Sequence, residues 1–324
     1  MIGNVHKASE SSVLIVSNTG DPHCDYLVDA CNRQQVPFFR LNTDRFYLGG
    51  KISLDVLADR GFLEIDGHYC DLSTVGLLVF RRPNAVHAKR NDIDSWVGFL
   101  LDSEWRSIEY ALSDIVPGVV MNPMQGSVRA QNKIVQMSAA RKVGLSVPET
   151  IISTDIEYLR DFAGRFDVVT KGICNAHIQV NNILRTGNTK RTTLNDLKNY
   201  DPTGVPTLLQ QEISPCAIWR VVVTLDQVTG VRLSGDMIDK AVDSRLVDEE
   251  LNGVEAVLPK DFQNKMIALC KELNIVFCAS DVIEDKDGRL WFIDLNPEGQ
   301  WAYLEKDYNT IISDKIISMR KSLV

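Results

Sequence analysis

The first hydrophobic segments of the chain alternate between the pattern of a buried strand and the pattern of an amphipathic helix. Residues 12–17 (SVLIVS) form a short apolar, β-branched run, and residues 23–33 repeat their apolar positions at helical spacing. A second strand-like run follows at residues 36–41. This order predicts a βαβ unit, which is typical of proteins built on a parallel sheet.

A second pair of signals predicts where this sheet would bind a ligand. Residues 51–65 alternate as a hairpin does, and residues 75–80 (VGLLVF) predict a buried strand that leads into Arg81 and Arg82. Ligands of open α/β sheets bind beyond the carboxyl ends of strands. Arg81 and Arg82 are therefore candidate substrate contacts, with ion pairs that cap the strand as the alternative.

The middle of the chain predicts a helix and a strand that each carry a lysine. Ser127 is a suitable N-cap and Gly144 a suitable stop, which predicts one helix between them with Lys133 inside it. Residues 166–170 predict a strand that ends at Lys171. A charged side chain directly after an apolar strand is typical of the opening of a binding site.

Further elements follow in the last third of the chain. Residues 208–213 and 219–225 predict strands, and residues 262–273 predict a helix. The segment 236–259 is polar, acidic and weakly periodic, which predicts a loop over a site rather than core.

The most informative pattern is a hairpin near the carboxyl end. Asp287-Gly288 separates two alternating apolar runs, which is a strong hairpin signal. If the turn is centred on that pair, Lys286 faces Arg289 and Asp281 faces Asp294. Since strand side chains alternate, Asn296 lies on the same face as Asp294.

Two carboxylates and an amide on one face predict a metal site. Like charges placed opposite each other on neighbouring strands destabilise a sheet. A hard divalent cation removes that repulsion, and Mg²⁺ prefers such oxygen ligands together with substrate phosphates. Asp281, Asp294 and Asn296 are thus candidate Mg²⁺ ligands at a nucleotide site. The alternative is that the two aspartates are solvent-exposed at strand ends.

Composition narrows the range of functions. The chain has 324 residues and a net charge of −8, which argues against nucleic acid or an anionic membrane as the partner. No run of apolar residues approaches the length of a membrane span, and the first residues lack a signal sequence, so we expect a soluble cytoplasmic protein. The seven cysteines are scattered without CxxC spacing, so neither a disulfide framework nor a zinc site is expected.

The hairpin around Asp287-Gly288 is followed by a segment that resembles a known family. Residues 292–301 (FIDLNPEGQW) resemble the FLExNPxGQW signature of ATP-grasp ligases that mature ribosomally made peptides, the microviridin-ligase-like or graspetide synthetases. Three other segments resemble the same family in order: residues 78–83 (LVFRRP), residues 122–150 (NP, then NK, then GLSVPET) and residues 274–281. The sequence departs from the signature at Asp294, where the family has Glu.

The resemblance implies a role for each candidate residue. Lys133 and Lys171 match the lysines that hold the nucleotide phosphates, and Gln211, Glu212 and Ile213 match the segment that takes the adenine edge. Arg220 and Arg245 match catalytic positions, where Arg220 would stabilise the acyl phosphate and Arg245 would hold a substrate carboxylate. Asp281, Asp294 and Asn296 match the metal ligands, while His177 is a further candidate substrate contact.

The resemblance also implies the fold, the cofactors and the reaction. The expected fold class is α/β with α+β lobes: an N-terminal pre-ATP-grasp βαβ domain (residues 1–120), a central ATP-grasp lobe (121–206) and a C-terminal lobe with the metal-binding hairpin (207–324). ATP and Mg²⁺ would bind between the central and C-terminal lobes. The expected activity is an ADP-forming ligase that activates Asp or Glu side chains of a precursor peptide, leader plus core, and closes ω-ester or ω-amide rings.

Three questions stay open at this point. The substrate of the same chemistry could be a small molecule or an amino acid, as in ligases that resemble glutathione synthetase or add glutamates. The chain could instead be a nucleotide-binding scaffold without activity. A homodimer is left open as well.

Overall fold

The computed structural model describes residues 12–57, 60–83, 94–173, 177–180, 183–186, 189–235, 238 and 252–322. These residues form two compact units. Unit 1 contains residues 1–127, 274–277 and 300–324, and unit 2 contains residues 128–273 and 278–299. The predicted domain boundaries at residues 121 and 207 stay predictions. No helix in the described ranges combines the length and the apolar character that a membrane crossing needs.

Unit 1 is built around a parallel sheet in the order β2-β1-β6-β7, with a separate antiparallel sheet β3-β4-β5. Its strands are β1 Ser12–Ser17, β2 Phe38–Asn42, β3 Lys51–Asp55, β4 Arg60–Ile65, β5 His68–Asp71, β6 Val75–Phe80 and β7 Val119–Met121. Its helices are α1 Pro22–Arg33, α2 Ser95–Ile115, the first half of α3 Met124–Gln131, α7 Ala302–Tyr308 and α8 Ile312–Ser318.

The predicted βαβ opening is confirmed. β1 pairs in parallel with β2 on one side and with β6 on the other, and four of its six residues are fully buried apolar side chains. Asp21 caps α1 by accepting a hydrogen bond from the His23 N–H, which satisfies one of the donors that a helix start leaves open. The order of the strands therefore reverses at β1, with β2 on one side and β6 on the other, and the carboxyl ends of β1 and β6 lie side by side.

Unit 2 contains two antiparallel sheets, in the orders β12-β9-β13-β8 and β16-β15-β14-β17-β18, and a two-stranded ribbon β10-β11. Its strands are β8 Thr150–Ser153, β9 Val168–Thr170, β10 His177–Val180, β11 Ile183–Thr186, β12 Lys190–Thr192, β13 Thr207–Gln211, β14 Ala217–Thr224, β15 Gln227–Ser234, β16 Asn252–Glu255, β17 Phe277–Glu284 and β18 Leu290–Asn296. Its helices are α4 Lys133–Lys142, α5 Ile156–Arg165 and α6 Lys260–Leu273.

The predicted helix from Ser127 to Gly144 is wrong in its start. Two helices occupy this stretch, and Ser127 lies inside the first of them. Asn132 ends that helix and caps α4, because its side chain accepts hydrogen bonds from the N–H groups of Ile134 and Val135. Lys133 is thus the first residue of α4 rather than an interior residue. Gly144 does end α4, in the positive-φ conformation that glycine favours (φ 80°).

The predicted loop at residues 236–259 is partly wrong. Residues 252–255 form strand β16, which pairs with β15 at the edge of the five-stranded sheet. Residues 236, 237 and 239–251 lie outside the described residues.

Candidate nucleotide site in unit 2

The predicted facing pair Asp281 and Asp294 is confirmed, although the turn beside it is not where the sequence put it. Residues 283 and 284 pair with 291 and 290, and the backbone of Asp285 bonds to that of Arg289, so Lys286 does not face Arg289. The turn is therefore displaced by one residue. A bulge at Ile293 adds one residue to β18 and restores the pairing of Asp281 with Asp294.

The bulge has a second consequence. Its extra residue leaves the ladder, and the carbonyl of Ile293 accepts a hydrogen bond from Lys171 Nζ at 3.1 Å. Lys171 comes from the end of β9, so this bond joins the two larger sheets of unit 2. The irregularity in the hairpin thus holds a lysine beside the two aspartates.

Each aspartate of the pair has its own cation. Lys133 Nζ lies 2.6 Å from Asp294 Oδ2, and the Arg220 guanidinium is ion-paired with Asp281 Oδ1. The side chains of Lys133 and Arg220 are almost completely buried, whereas 30% of Asp294 and 43% of Asp281 remain exposed. The repulsion between the two carboxylates is therefore compensated by the protein itself.

Burial sets the electrostatics of the third cation. Desolvation lowers the pKa of Lys171 to about 8, against the attraction of Asp294, which raises it, while nearby Lys133 lowers it further. Because burial disfavours the charged form of Lys171, an anion in contact with its amine would stabilise that charge. A polyphosphate is the anion that suits three converging cations.

A buried glutamine that the sequence analysis missed fixes the strand between the candidate metal ligands. Gln136 is only 1% exposed, and its amide donates to the carbonyls of Leu295 (2.7 Å) and Ala130 (2.6 Å). Its Oε1 accepts the N–H of Leu295 at 3.1 Å. Both polar groups of the residue between Asp294 and Asn296 are thus held by one side chain. The spacing of three residues from Lys133, which places both on one face of a helix, was the available signal.

Asn296 has a local partner as well. It pairs across the hairpin with Ala279, and its Oδ1 accepts the Glu298 N–H at 2.9 Å. The following Gly299 lies so close to β17 that an added Cβ would come 2.2 Å from the Cβ of Ala279. The glycine of the carboxyl-terminal signature is therefore required by packing.

The predicted adenine segment follows β13. The N–H groups of Gln211 and Glu212 bond to the carbonyls of Glu149 and Asp167, at 2.8 Å each. The Glu212 carboxylate is paired with Arg191. Ile213 is half-buried beyond the end of the strand.

The two carboxylates and the amide fit a Mg²⁺ ion that is also bound by a nucleotide better than a metal ion bound by protein side chains alone. Within the described ranges, no three His, Cys, Asp or Glu side chains come together as metal ligands. Two partly exposed carboxylates and one amide would bind the cation only with help from phosphate oxygens, which is the usual situation for Mg²⁺ in proteins. The residues present therefore fit a magnesium-nucleotide complex.

The other candidate residues lie elsewhere or outside the described part of the chain. Arg81, in unit 1, is 1% exposed, with its Nε 3.1 Å from Asp21 Oδ2, so a substrate role would require it to leave that partner. Arg82 is exposed and adopts a positive φ of 47°. His177 begins strand β10, and Arg245 lies outside the described residues.

The Asp21–Arg81 pair belongs to a buried cluster that explains another signature residue. His23 Nδ1 donates to Asp21 Oδ1 (2.9 Å), and its Nε2 accepts the Trp301 N–H (3.1 Å). The guanidinium of Arg81 lies over the Trp301 ring, 5.2 Å from its centroid. Both the arginine after β6 and the tryptophan of the signature therefore help to hold unit 1 together.

Comparison with solved structures identifies the fold of the chain but does not by itself establish its function. No protein-family model matches the chain, and no curated protein matches its sequence. The macrocyclase MdnC from Microcystis aeruginosa, bound to the precursor peptide MdnA, superposes with a TM-score of 0.82 at 22% identity, covering 96% of this chain and 99% of MdnC.

Two further structures agree. A RiPP-associated ATP-grasp ligase of Chryseobacterium gregarium, in complex with ADP and a leader and core peptide, gives a TM-score of 0.84 at 18% identity, covering 97% of each chain. The ATP-grasp ligase PsnB with a minimal precursor, Mg and ADP gives 0.74 at 18% identity, covering 95% of this chain and 98% of PsnB. The chain has the fold of the ATP-grasp ligases.

Proposed function

We propose that the protein is an ATP-dependent ligase that activates a carboxylate of a precursor peptide and closes an ω-ester or ω-amide ring. The observation that carries this proposal is the convergence of Lys133, Lys171 and Arg220 on the facing pair Asp281 and Asp294. The structurally similar enzymes MdnC and PsnB were solved with precursor peptides, and PsnB also with Mg and ADP.

Each residue of the site has a role in this chemistry. Asp281, Asp294 and Asn296 would hold Mg²⁺, which neutralises phosphate charge when bound. Lys133 and Lys171 would bind phosphate oxygens as point charges, and the backbone from Gln211 to Ile213 would take the adenine. Arg220, released from Asp281, would stabilise the charge on the acyl phosphate.

The reaction needs no covalent intermediate on the enzyme. An Asp or Glu carboxylate oxygen of the peptide attacks the γ-phosphorus, and ADP leaves. A Ser or Thr hydroxyl, or a Lys amine, then attacks the acyl carbon, loses its proton, and inorganic phosphate leaves. We propose Arg245 and His177 as the residues of unit 2 that hold the peptide, and Arg82 stays a separate candidate contact in unit 1.

The partners and the location follow from the same proposal. We propose a precursor peptide with leader and core as the substrate and a homodimer as the assembly. The cytoplasm, where ATP is present and thiols stay reduced, is the proposed compartment.

The test is to incubate the protein with ATP, Mg²⁺ and a candidate peptide rich in Thr and Glu, and to measure ADP and peptide mass together. We expect one ADP per ring and the loss of one water mass per ring. A gain of one amino-acid mass would instead identify a ligase that adds a free amino acid. Tight nucleotide binding without ADP release, over a panel of peptides, would identify a scaffold.

A further inference from the structure

The loop between helix α4 and strand β8 contacts the β17–β18 hairpin on one side. Ser146 pairs in parallel with Trp291 of β18, and the Phe292 N–H donates to the Ser146 carbonyl at 2.8 Å. The Ser146 hydroxyl accepts the Arg289 Nε–H at 3.0 Å, and the Arg289 guanidinium lies 4.0 Å from the centroid of the Trp291 ring. Backbone and side chain thus both attach this loop to the hairpin.

The same loop contacts the candidate adenine segment on its other side. The Glu149 carbonyl accepts the Gln211 N–H at 2.8 Å, and the Glu149 N–H donates to Gln211 Oε1 at 3.4 Å. Both polar groups of the Glu149 backbone are therefore held by one residue. Ser146 contacts the hairpin, and Glu149, only a few positions later, contacts the adenine segment.

The chain between these two contacts is short and restrained. Pro148 has a φ that its ring fixes, and its carbonyl accepts the Thr150 hydroxyl at 2.9 Å. The oxygen of that hydroxyl accepts the Gln210 side-chain amide, also at 2.9 Å. The chain from Ser146 to Glu149 spans at most about 10–11 Å, so the two contacts cannot separate further than that.

The two sheets that this loop joins carry different parts of the candidate site. The adenine segment follows β13 of the four-stranded sheet, whereas Arg220, Asp281 and Asp294 lie on β14, β17 and β18 of the five-stranded sheet. The position of one sheet relative to the other therefore sets the distance from the adenine segment to the phosphate and metal groups.

Other connections between these sheets exist, and the loop adds a separate point of attachment. The chain runs directly from the adenine segment into β14, where the Cys216 N–H donates to the Glu284 carbonyl at 2.7 Å. A single connection allows rotation about it, whereas two connections at different points fix the spacing. The bond from Lys171 to the Ile293 carbonyl also joins the sheets, but its amine is a group that a phosphate would attract.

We propose that residues 146–149 are a spacer that fixes the distance between the adenine segment and the metal-binding aspartates, so that one nucleotide reaches both. This inference rests on the proposed function, because it needs the nucleotide site of unit 2. The spacer holds other groups in position and does not itself touch the reacting atoms.

A fixed distance raises the affinity for a whole nucleotide but not for its parts. When one end of a ligand binds, its other end lies at the second subsite only if the two subsites are held at the matching distance. A spacer of another length, or with more freedom, removes this advantage. Tripolyphosphate has no adenosine and contacts only the phosphate and metal groups, so its affinity does not depend on the spacer.

The experiment lengthens the spacer by one Gly inserted between Val147 and Pro148, which adds up to about 3.5 Å. Calorimetric titration of the full chain measures the binding of Mg·AMPPNP and of Mg·tripolyphosphate. We expect the affinity for Mg·AMPPNP to fall by about tenfold or more and that for Mg·tripolyphosphate to change by less than about twofold. One Gly inserted after Gly204, an exposed glycine in the same unit, should change neither.

A second variant loosens the spacer without changing its length. Ser146→Gly removes the bond to Arg289 and adds backbone freedom, while the carbonyl that accepts the Phe292 N–H stays. We expect about three- to fivefold weaker binding of Mg·AMPPNP and unchanged binding of Mg·tripolyphosphate. This variant decides the question if circular dichroism shows that the insertion protein does not fold.

Two results would overturn the spacer while leaving the nucleotide site intact. One is an equal loss of affinity for both ligands, which would mean that the loop only supports the hairpin. The other is an affinity for Mg·AMPPNP that neither variant changes. Wild-type protein that does not bind Mg·AMPPNP would instead contradict the nucleotide site on which the proposed function depends, and the spacer with it.

Discussion

Two ion pairs dominate the candidate site at the scale of single residues. Lys133 is paired with Asp294 and Arg220 with Asp281, so both carboxylates are neutralised by cations of the protein. Binding of a magnesium-nucleotide complex would exchange partners: the aspartates would turn to the metal and the cations to the phosphates. The charges that the metal and the phosphates need are thus already present in the site, where they are paired with each other.

The lowered pKa of Lys171 predicts that nucleotide affinity depends on pH. Only the protonated amine binds phosphate well, and with a pKa of about 8 its protonated fraction falls as the pH rises through that value. If the bound phosphate keeps the amine protonated, affinity for Mg·ADP should be about tenfold weaker at pH 9 than at pH 7. Calorimetric titration at the two pH values measures this change.

Lys171→Arg is the control for this effect. Its guanidinium stays protonated over the whole range, so the dependence on pH should disappear. An equally strong pH dependence in Lys171→Arg would assign the titration to another group.

Replacement of Gln136 should lower both the stability of the protein and its affinity for Mg²⁺. Gln136→Met keeps the volume but leaves the polar groups of Leu295 and the Ala130 carbonyl without this partner, which should lower the free energy of unfolding by about 2–4 kcal/mol. Because Leu295 lies between Asp294 and Asn296, the Mg²⁺ concentration for half-maximal ADP binding should rise by about 10- to 100-fold. Urea unfolding and Mg²⁺ titration measure the two effects.

The exposed Gln131 provides the matched substitution. Gln131→Met should change neither quantity. A Gln136→Met protein that loses stability but keeps its Mg²⁺ dependence would limit Gln136 to a structural role.

The β17–β18 hairpin is the element on which the site depends. Its sequence predicts the facing aspartates, because Asp287-Gly288 and the alternating apolar residues are local signals. It does not predict the bulge at Ile293, because the freed carbonyl is stabilised by Lys171, which is 122 residues away. The pairing of Asp281 with Asp294 was thus predicted correctly from a turn that is displaced by one residue.

The turn of this hairpin makes a prediction about stability. Gly288 has φ 77°, where a Cβ is strained, so Gly288→Ala should lower the free energy of unfolding by about 1–2 kcal/mol. Gly164 in α5 has open space around it and no positive φ, so Gly164→Ala should raise stability by about 0.5–1 kcal/mol. Denaturant unfolding of both variants measures these changes in the free energy of unfolding. If both substitutions changed it equally, the positive φ of Gly288 would not be what makes alanine unfavourable there.

At the scale of the whole molecule, local patterns predicted more than long-range contacts did. The βαβ opening, the hairpin and the end of the helix at Gly144 depend on residues that are close together in the sequence. The carboxyl-terminal signature indicated the fold that the solved structures support. The ion pairs of Lys133 and Arg220, the clamp of Gln136 and the burial of Arg81 join residues that are more than 50 positions apart. No periodicity or spacing in one sequence encodes such contacts.

The central claim is that the facing aspartates bind Mg²⁺ together with a nucleotide, and calorimetric binding of AMPPNP with and without Mg²⁺ tests it most directly. Wild-type protein and Asp287→Asn, an exposed change in the same turn, should bind more tightly with Mg²⁺. The double variant Asp281→Asn and Asp294→Asn should lose that gain. It should bind metal-free AMPPNP at least as tightly as wild type, because Lys133 and Arg220 no longer have carboxylate partners. A double variant that keeps the full effect of Mg²⁺ would contradict the account.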